Sequence, residues 1–247
     1  MEARKAEDAV LSCYRRHRGN YGRPRIHREL QRKGFEISSG RVGRILHKYD
    51  LQAKAGRHRK ARKAREIQCL EENLVADKFA VTAANALWCS DITELRCKQG
   101  KLYVCGVIDV ATRRIVGWSV GQEQRQQLVQ KAFAMAVGRN PERPEGAVYH
   151  SDRGSQYTAR STKSLVESNG FQKSMSRPGT PHDNQPIESF WHTMEVELGS
   201  LASLSYAEAA LKIIEYIELY YNADRIHSGI QYCTPNEKFS LLSVHTF

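Results

Sequence analysis

The chain of 247 residues is 40% apolar and 26% charged, with a formal net charge of +11, a balance expected of a soluble, globular protein with one substantial core and an accessory module. No stretch approaches about 18 consecutive apolar residues and the opening MEARKAEDAV has no apolar leader, so neither membrane insertion nor export is expected. The six cysteines contain no CxxC pair, which excludes a disulfide framework and fits a reduced, cytoplasmic compartment.

The excess positive charge is confined to the first quarter. Residues 1–66 hold 20 Lys and Arg against 7 Asp and Glu, whereas the remainder holds 18 against 20. Such asymmetry points to a nucleic-acid-binding arm joined to a different kind of domain. EDAVLSCYRRH predicts a first helix, and GNYGRP a turn with Pro24 placed to open the next. RIHRELQRKG carries Ile26 and Leu30 and stops at Gly34, while SSGRVGRILHKYDL carries Val42, Ile45, Leu46 and Tyr49 behind a serine cap. Three short helices with a tight turn before the last are the pattern of a helix-turn-helix-like unit over 1–51. Arg23, Arg25, Arg28, Arg32, Arg41, Arg44 and Lys48 lie off the apolar stripes, as expected of groups that meet phosphates. QAKAGRHRKARKAR then reads as a basic linker, with Arg59, Lys60, Arg62 and Lys63 tracking a nucleic-acid backbone; linker and connecting segment span 52–82. Cys13 and His17 have no matching His and Cys pair, so no zinc module is expected.

A different rhythm follows. LWCSDITEL (87–95), KLYVCGVIDV (101–110) and RIVGWSVG (114–121) read as strands joined by hairpin-length turns. QRQQLVQKAFAMAVGR puts Leu128, Val129, Ala132, Phe133 and Ala136 on one helical face. A strand AVYHSD, a helix TARSTKSLVESNG, a short strand FQKSMS and a helix over about 184–199 complete the run, and another long helix spans 205–221. The order β-β-β-α-β-α-β-α is that of a ribonuclease-H-like α/β core, a mixed five-stranded sheet with helices on its faces, expected over 83–247 with a helical C-terminal extension and preceded by the small basic all-α unit.

Three acids stand out in this core. Asp91 lies mid-strand between apolar neighbours, where a carboxylate is costly unless paired or bound to a metal. Asp152 ends the fourth strand, and strands that are parallel neighbours would bring the two together across 60 intervening residues. Glu188 follows after 35 more, enough chain for a helix, a strand and a returning loop. Ile187, Phe190, Met194, Leu198 and Leu201 form the buried stripe of its helix, so Glu188 stands beside the core seam. Three convergent carboxylates suit Mg²⁺ or Mn²⁺. Other polar residues have plainer readings. Asp109 is expected to form a turn, Glu94 alternates to the opposite sheet face, His150 supports Asp152, Trp191 is core or a DNA-stacking ring, and TPNE (234–237) is a helix start.

WCSDITEL, IDVATRRIVGWSV, HSDRGSQY, DNQPIESFWHTMEVEL with its 35-residue interval, and YYNADRIHSGIQYCTP resemble successive blocks of the transposases of the two-frame insertion-sequence family named for insertion sequence three, and the resemblance covers nearly the whole chain. It implies the second-frame catalytic product with a retroviral-integrase-type core and a DDE triad at Asp91, Asp152 and Glu188, using two Mg²⁺ or Mn²⁺ ions per site for metal-dependent strand cleavage and strand transfer at insertion-sequence ends. It further implies terminal inverted repeats and target DNA as substrates, a homo-oligomer on DNA, the first-frame product as a partner, no membrane, and a bacterial, nucleoid-associated location. By the same resemblance Asn222, Arg225 and His227 are expected to contact DNA or brace the site. The sequence departs from the family pattern at Glu195, where Lys or Arg is usual seven residues after the catalytic Glu, at Ile226 in place of Pro and at Gln185 in place of Ala. Those departures fit a second function class, a catalytically weakened DNA-binding regulator or interfering partner of transposition.

Overall fold

The computed structural model describes residues 2–55, 81–176 and 184–243, and the chain divides into two compact units, Met1–Glu71 and Glu72–Phe247. The basic linker residues Arg59, Lys60, Arg62 and Lys63 lie outside the described residues.

The first unit packs α1 (Glu2–Arg16), α2 (Arg23–Arg32) and α3 (Ser39–Lys48) around Val10, Tyr21, Ile26, Leu30, Val42 and Ile45. Local chemistry sets the ends. Pro24 occupies the first turn of α2, whose orphan N–H groups it does not add to, and Ser38 caps α3 by accepting from the Arg41 N–H at 3.2 Å. Gly34, at φ +73°, lets the chain turn out of α2. Within this core the Glu29 carboxylate is held down at about 2, first by a hydrogen bond from His17 and then by Lys33, which together outweigh its burial. Tyr49 corrects the periodic reading: α3 ends at Lys48, and the ring is 42% exposed rather than in the core.

In the second unit β1 (Leu87–Cys97), β2 (Gly100–Asp109) and β3 (Ile115–Gly121) form an antiparallel meander, and α4 (Gln126–Arg139) leads to β4 (Val148–Ser151). Two short helices, α5 (Ser155–Thr158) and α6 (Arg160–Ser168), precede β5 (Gln172–Met175). The sheet order is β3-β2-β1-β4-β5, with β4 parallel to both β1 and β5. Then come α7 (Gln185–Leu198), α8 (Tyr206–Glu215) running on as a π-helical turn over Tyr216–Tyr221, and α9 (Pro235–Ser243). The mixed five-stranded sheet expected from the element order is thus present.

Strand alternation distributes the core over two faces. Cys89, Leu102, Val104 and Ile115 pack with α7 and α8, whereas Trp88, Cys105, Val107 and Val116 pack with α4 and α6. Helix and sheet come close together at Gly117 on β3. A Cβ there would run into the Ala132 carbonyl of α4 and stand 2.7 Å from the Ala136 methyl. Gly117→Ala should therefore push helix from sheet and cost about 3 kcal/mol, read as a lower denaturation midpoint at unchanged slope; an unchanged midpoint would mean that α4 can move away cheaply.

Candidate active site

The parallel pairing of β1 with β4 puts Ser90 opposite Ser151, so Asp152, the first residue beyond β4, follows beside Asp91, which stays within β1 and pairs with Gly106 of β2. The β4 end is braced by His150, buried on the same strand, whose Nδ1 lies 2.9 Å from the Ser174 hydroxyl and whose Nε2 lies 3.1 Å from the Ser176 hydroxyl. Asp152 itself is exposed and accepts from the Gly154 N–H at 3.0 Å, a local turn that holds its carboxylate at the strand exit.

Glu188 stands in the first turn of α7, where an acid is favoured by the helix dipole. Three side-chain hydrogen bonds lay α7 along β1. The Asn184 amide donates to the Ser90 carbonyl at 3.0 Å, the Trp191 indole donates to Asp91 Oδ2 at 3.1 Å, and the Thr93 hydroxyl donates to Glu195 Oε1 at 3.3 Å. Each step along the helix meets a later residue of the strand, so the two elements run in the same direction and Glu188 is carried to the Asp91 end of the sheet.

Burial is the main reason the Asp91 carboxyl is pushed up to about 7. The Ile92 N–H and the Trp191 indole oppose that rise, and the negative charges of Asp152 and Glu188 add to it. Asp91 therefore feels both other acids. Their oxygen donors fit a hard divalent ion in type. Among the described residues no three His, Cys, Asp or Glu side chains already enclose an ion-sized space. Asp152 and Glu188 are both exposed, so their side chains have room to reorient.

Asp109 is the turn former that was expected: its carboxylate accepts from the Thr112 N–H and hydroxyl and from the Asn85 N–H, while burial pushes it up to about 6. Glu94 is exposed and pairs with Lys101 at 2.9 Å. In the first unit Arg23, Arg28 and Arg44 are exposed and Arg25 and Arg41 half-buried. Lys48 differs from them, because its ammonium pairs with Glu7 of α1 and helps to tie α3 down.

Of the two roles expected of the carboxy-terminal block, DNA contact or bracing, the burial of Asn222 and Arg225 favours bracing. Asn222 is 2% exposed and uses its amide to accept from the Ile115 N–H at 2.9 Å and donate to the Ile115 carbonyl at 3.0 Å. Arg225 is 4% exposed, and its Nε and Nη2 donate to Glu197 of α7, the latter at 2.9 Å. The Tyr216 hydroxyl donates to the same carboxylate at 2.9 Å. Arg225 thus braces the helix that carries Glu188, and Asn222 ties the segment after α8 to the start of β3; both are buried. His227 is half-buried, edge-on to Tyr221 at 4.8 Å with Arg225 Nη1 2.9 Å from its Nε2. Sequence reasoning missed Glu197, Asn184 and the polar role of Trp191; the spacing of Trp191 three after Glu188, on the same helical side, was the available signal.

Models of the integrase core domain match residues 81–181 and 169–235, and a model of an HTH-like domain matches residues 2–60. The chain is 37% identical over 239 residues to the transposase for insertion sequence element IS904 of Lactococcus lactis, covering 96% of this chain and 94% of that protein. It is 32% identical over 233 residues to transposase InsF for insertion sequence IS3A of Escherichia coli, covering 94% and 81%. Among solved structures, the simian T-cell lymphotropic virus intasome complex superposes with a TM-score of 0.54 at 12% identity over 64% of this chain and 55% of that one. The HTLV-2 integrase catalytic core with magnesium, trimeric form, superposes with a TM-score of 0.51 at 14% identity over 64% and 97%.

Proposed function

Because this chain belongs to the family of insertion-sequence transposases built on an integrase core, we propose that Asp91, Asp152 and Glu188 are the catalytic carboxylates of a DDE transposase that cleaves DNA strands at insertion-sequence ends and joins them to target DNA. The observation that carries the assignment is the parallel β1–β4 register, which sets Asp91 beside Asp152 while α7, bonded along β1, brings Glu188 to the same edge.

The division of labour follows from burial. Asp91, on a rigid strand, supplies the fixed oxygen ligands, and the exposed Asp152 and Glu188 adjust around it. Magnesium or manganese held there, two ions per site, would supply Lewis acidity and counter-charge at the attacking and leaving oxygens of an in-line displacement at phosphorus. Asn184 and Trp191 keep α7 in register, and the Arg225–Glu197 pair holds its far end. In the first unit Arg23, Arg25, Arg28, Arg41 and Arg44, continued by Arg59, Lys60, Arg62 and Lys63 in the sequence, hold the phosphate backbone. We assign terminal inverted repeats and target DNA as substrates, a homo-oligomer on DNA with the first-frame product as partner, and the bacterial nucleoid as the working location. Among the described residues no helix is long and apolar enough to cross a membrane.

The test is a nicking assay with the full chain on a duplex bearing the element's terminal repeat. Cleavage at the repeat end with Mg²⁺ or Mn²⁺, and none with a chelator, is the expected result. Repeat binding without cleavage under either metal would sink the catalytic assignment.

Glu195 gives a second expected outcome. Residue 195 is exposed and roughly 10 Å along the helix axis from residue 188, so through solvent a unit charge there acts on a charge at the metal site by only about 0.4 kcal/mol, and by less in salt. A lysine in its place would instead meet a phosphate. Glu195→Lys should tighten DNA binding, steepen the log–log salt dependence by about one, raise product yield, and leave metal affinity little changed. Unaltered DNA affinity and yield would mean that residue 195 lies away from the bound strand.

A further inference from the structure

The first and third carboxylates of the site stand on different elements, and one of the side chains that join those elements bonds the first carboxylate directly. Trp191 follows Glu188 by three positions on α7, and its Nε1–H donates to Asp91 Oδ2 at 3.1 Å. The indole is 4% exposed and packs against Phe190 at 4.8 Å between ring centroids. Beneath it lies Gly106, the β2 residue paired in register with Asp91. A Cβ built on Gly106 would stand 2.8 Å from the indole Cη2, 3.0 Å from Cζ2 and 3.3 Å from the Ile187 Cδ1. Glycine at this point of the strand is therefore what lets the ring come down far enough for its N–H to reach the neighbouring carboxylate.

A buried indole N–H needs an acceptor, and this one takes an oxygen of the residue on which the chemistry depends. The donor is neutral and does not ionise, so it orients Asp91 without supplying the positive charge that would compete with a cation. A carboxylate has about four lone-pair sites, and one N–H leaves the others available. The same ring is rigidly part of the helix that carries Glu188.

We propose that Trp191, seated on Gly106, is a positioning residue that sets the orientation of the Asp91 carboxylate and the spacing from Asp91 to Glu188, and so tunes the affinity of the site for divalent metal. The inference rests on the reading of Asp91 and Glu188 as metal ligands. Loss of an outer-shell partner of a metal ligand commonly weakens metal affinity or activity about 10- to 100-fold.

The experiment compares full-length protein with Trp191→Phe, Gly106→Ala, their double variant and Asp91→Asn. Two responses to Mg²⁺ are titrated: end cleavage, and the rise in Tm that bound metal produces without any turnover. Trp191→Phe should bind the terminal-repeat duplex like the parent, and should need about 10- to 100-fold more Mg²⁺ for half of either response. Gly106→Ala should shift both midpoints the same way by lifting the indole, and should add little in the Trp191→Phe background, where the colliding ring atoms are gone. Folded Trp191→Phe with parental Mg²⁺ midpoints overturns the proposal, even if its Tm is lower, because a purely structural indole would change stability alone. Should Trp191→Phe not fold, the Mg²⁺ midpoints of Gly106→Ala decide in the same two directions. Asp91→Asn separates the premises: loss of both responses upholds Asp91 as a ligand whatever Trp191 does, and retention of both removes the ligand assignment and this inference with it.

Discussion

Asp91→Asn, Asp152→Asn and Glu188→Gln should each reduce metal-dependent cleavage and joining to background while terminal-repeat binding persists. Each exchange preserves shape and deletes one anionic group, so on the proposed assignment the site keeps its outline and loses charge that would hold a dication. Asp91→Asn carries an additional signature. The Asp91 carboxyl sits at about 7 in the folded chain against an ordinary 3.8, chiefly through burial. Folding therefore favours its protonated form; that contribution is complete below the ordinary value and is lost as pH rises through 7. At pH 8, without metal, the parent bears the cost of a buried charge and the amide does not. With allowance for solvent near this half-buried group, Asp91→Asn should be the more stable by about 1–2 kcal/mol, a margin that shrinks toward pH 5. An inactive variant with a higher Tm is the mark of a carboxylate kept for chemistry. Wild-type cleavage by any of the three would remove that residue from the catalytic set.

Arg225→Ala should be among the most destabilising substitutions in the second unit. The Arg225–Glu197 pair has side-chain exposures of 4% and 2%. Burial by itself would weaken the guanidinium's hold on its proton, and the paired Glu197 carboxylate more than reverses that. Truncating one partner strands the other charge, at a cost of about 3–5 kcal/mol, or a fall in Tm of roughly 10 °C for a unit of this size. Replacing both, as in Arg225→Met with Glu197→Leu, should recover most of the loss, since an apolar pair of similar volume has no desolvation to offset. If Arg225→Ala instead keeps its Tm and loses DNA binding, the side chain faces a phosphate and the bracing role is wrong.

The contrast between these two sets of residues shows what a sequence discloses. Apolar alternation made the strands legible, because Leu102 and Val104 must face one layer while Cys105 and Val107 face the other. The acids were legible for the reason that a carboxylate within an apolar strand asks for an explanation. Asn222 and Arg225 were not, since a polar block after a long helix looks the same whether it meets DNA or closes back on the fold. Their partners, Ile115 and Glu197, are distant in the chain and carry no local mark of the pairing. Tyr49 failed for a local reason: it continues the helical period, but the helix ends one residue earlier. The role of Trp191 depended on Gly106, a residue whose contribution is a missing methyl group.

The β1–β4 pairing also orders events in time. A meander closes through tight turns, so β1, β2 and β3 can associate as soon as they exist. A parallel neighbour cannot be reached by a hairpin, and β4 meets β1 only after the chain has run out through β3 and returned along α4. That closure spends loop entropy before any contact rewards it, and Glu188 arrives later still, with Arg225 needed beyond it to secure the far end of its helix. On a ribosome the basic first unit emerges well ahead of Glu188, so the proposed DNA-binding arm exists before the last of the proposed ligands.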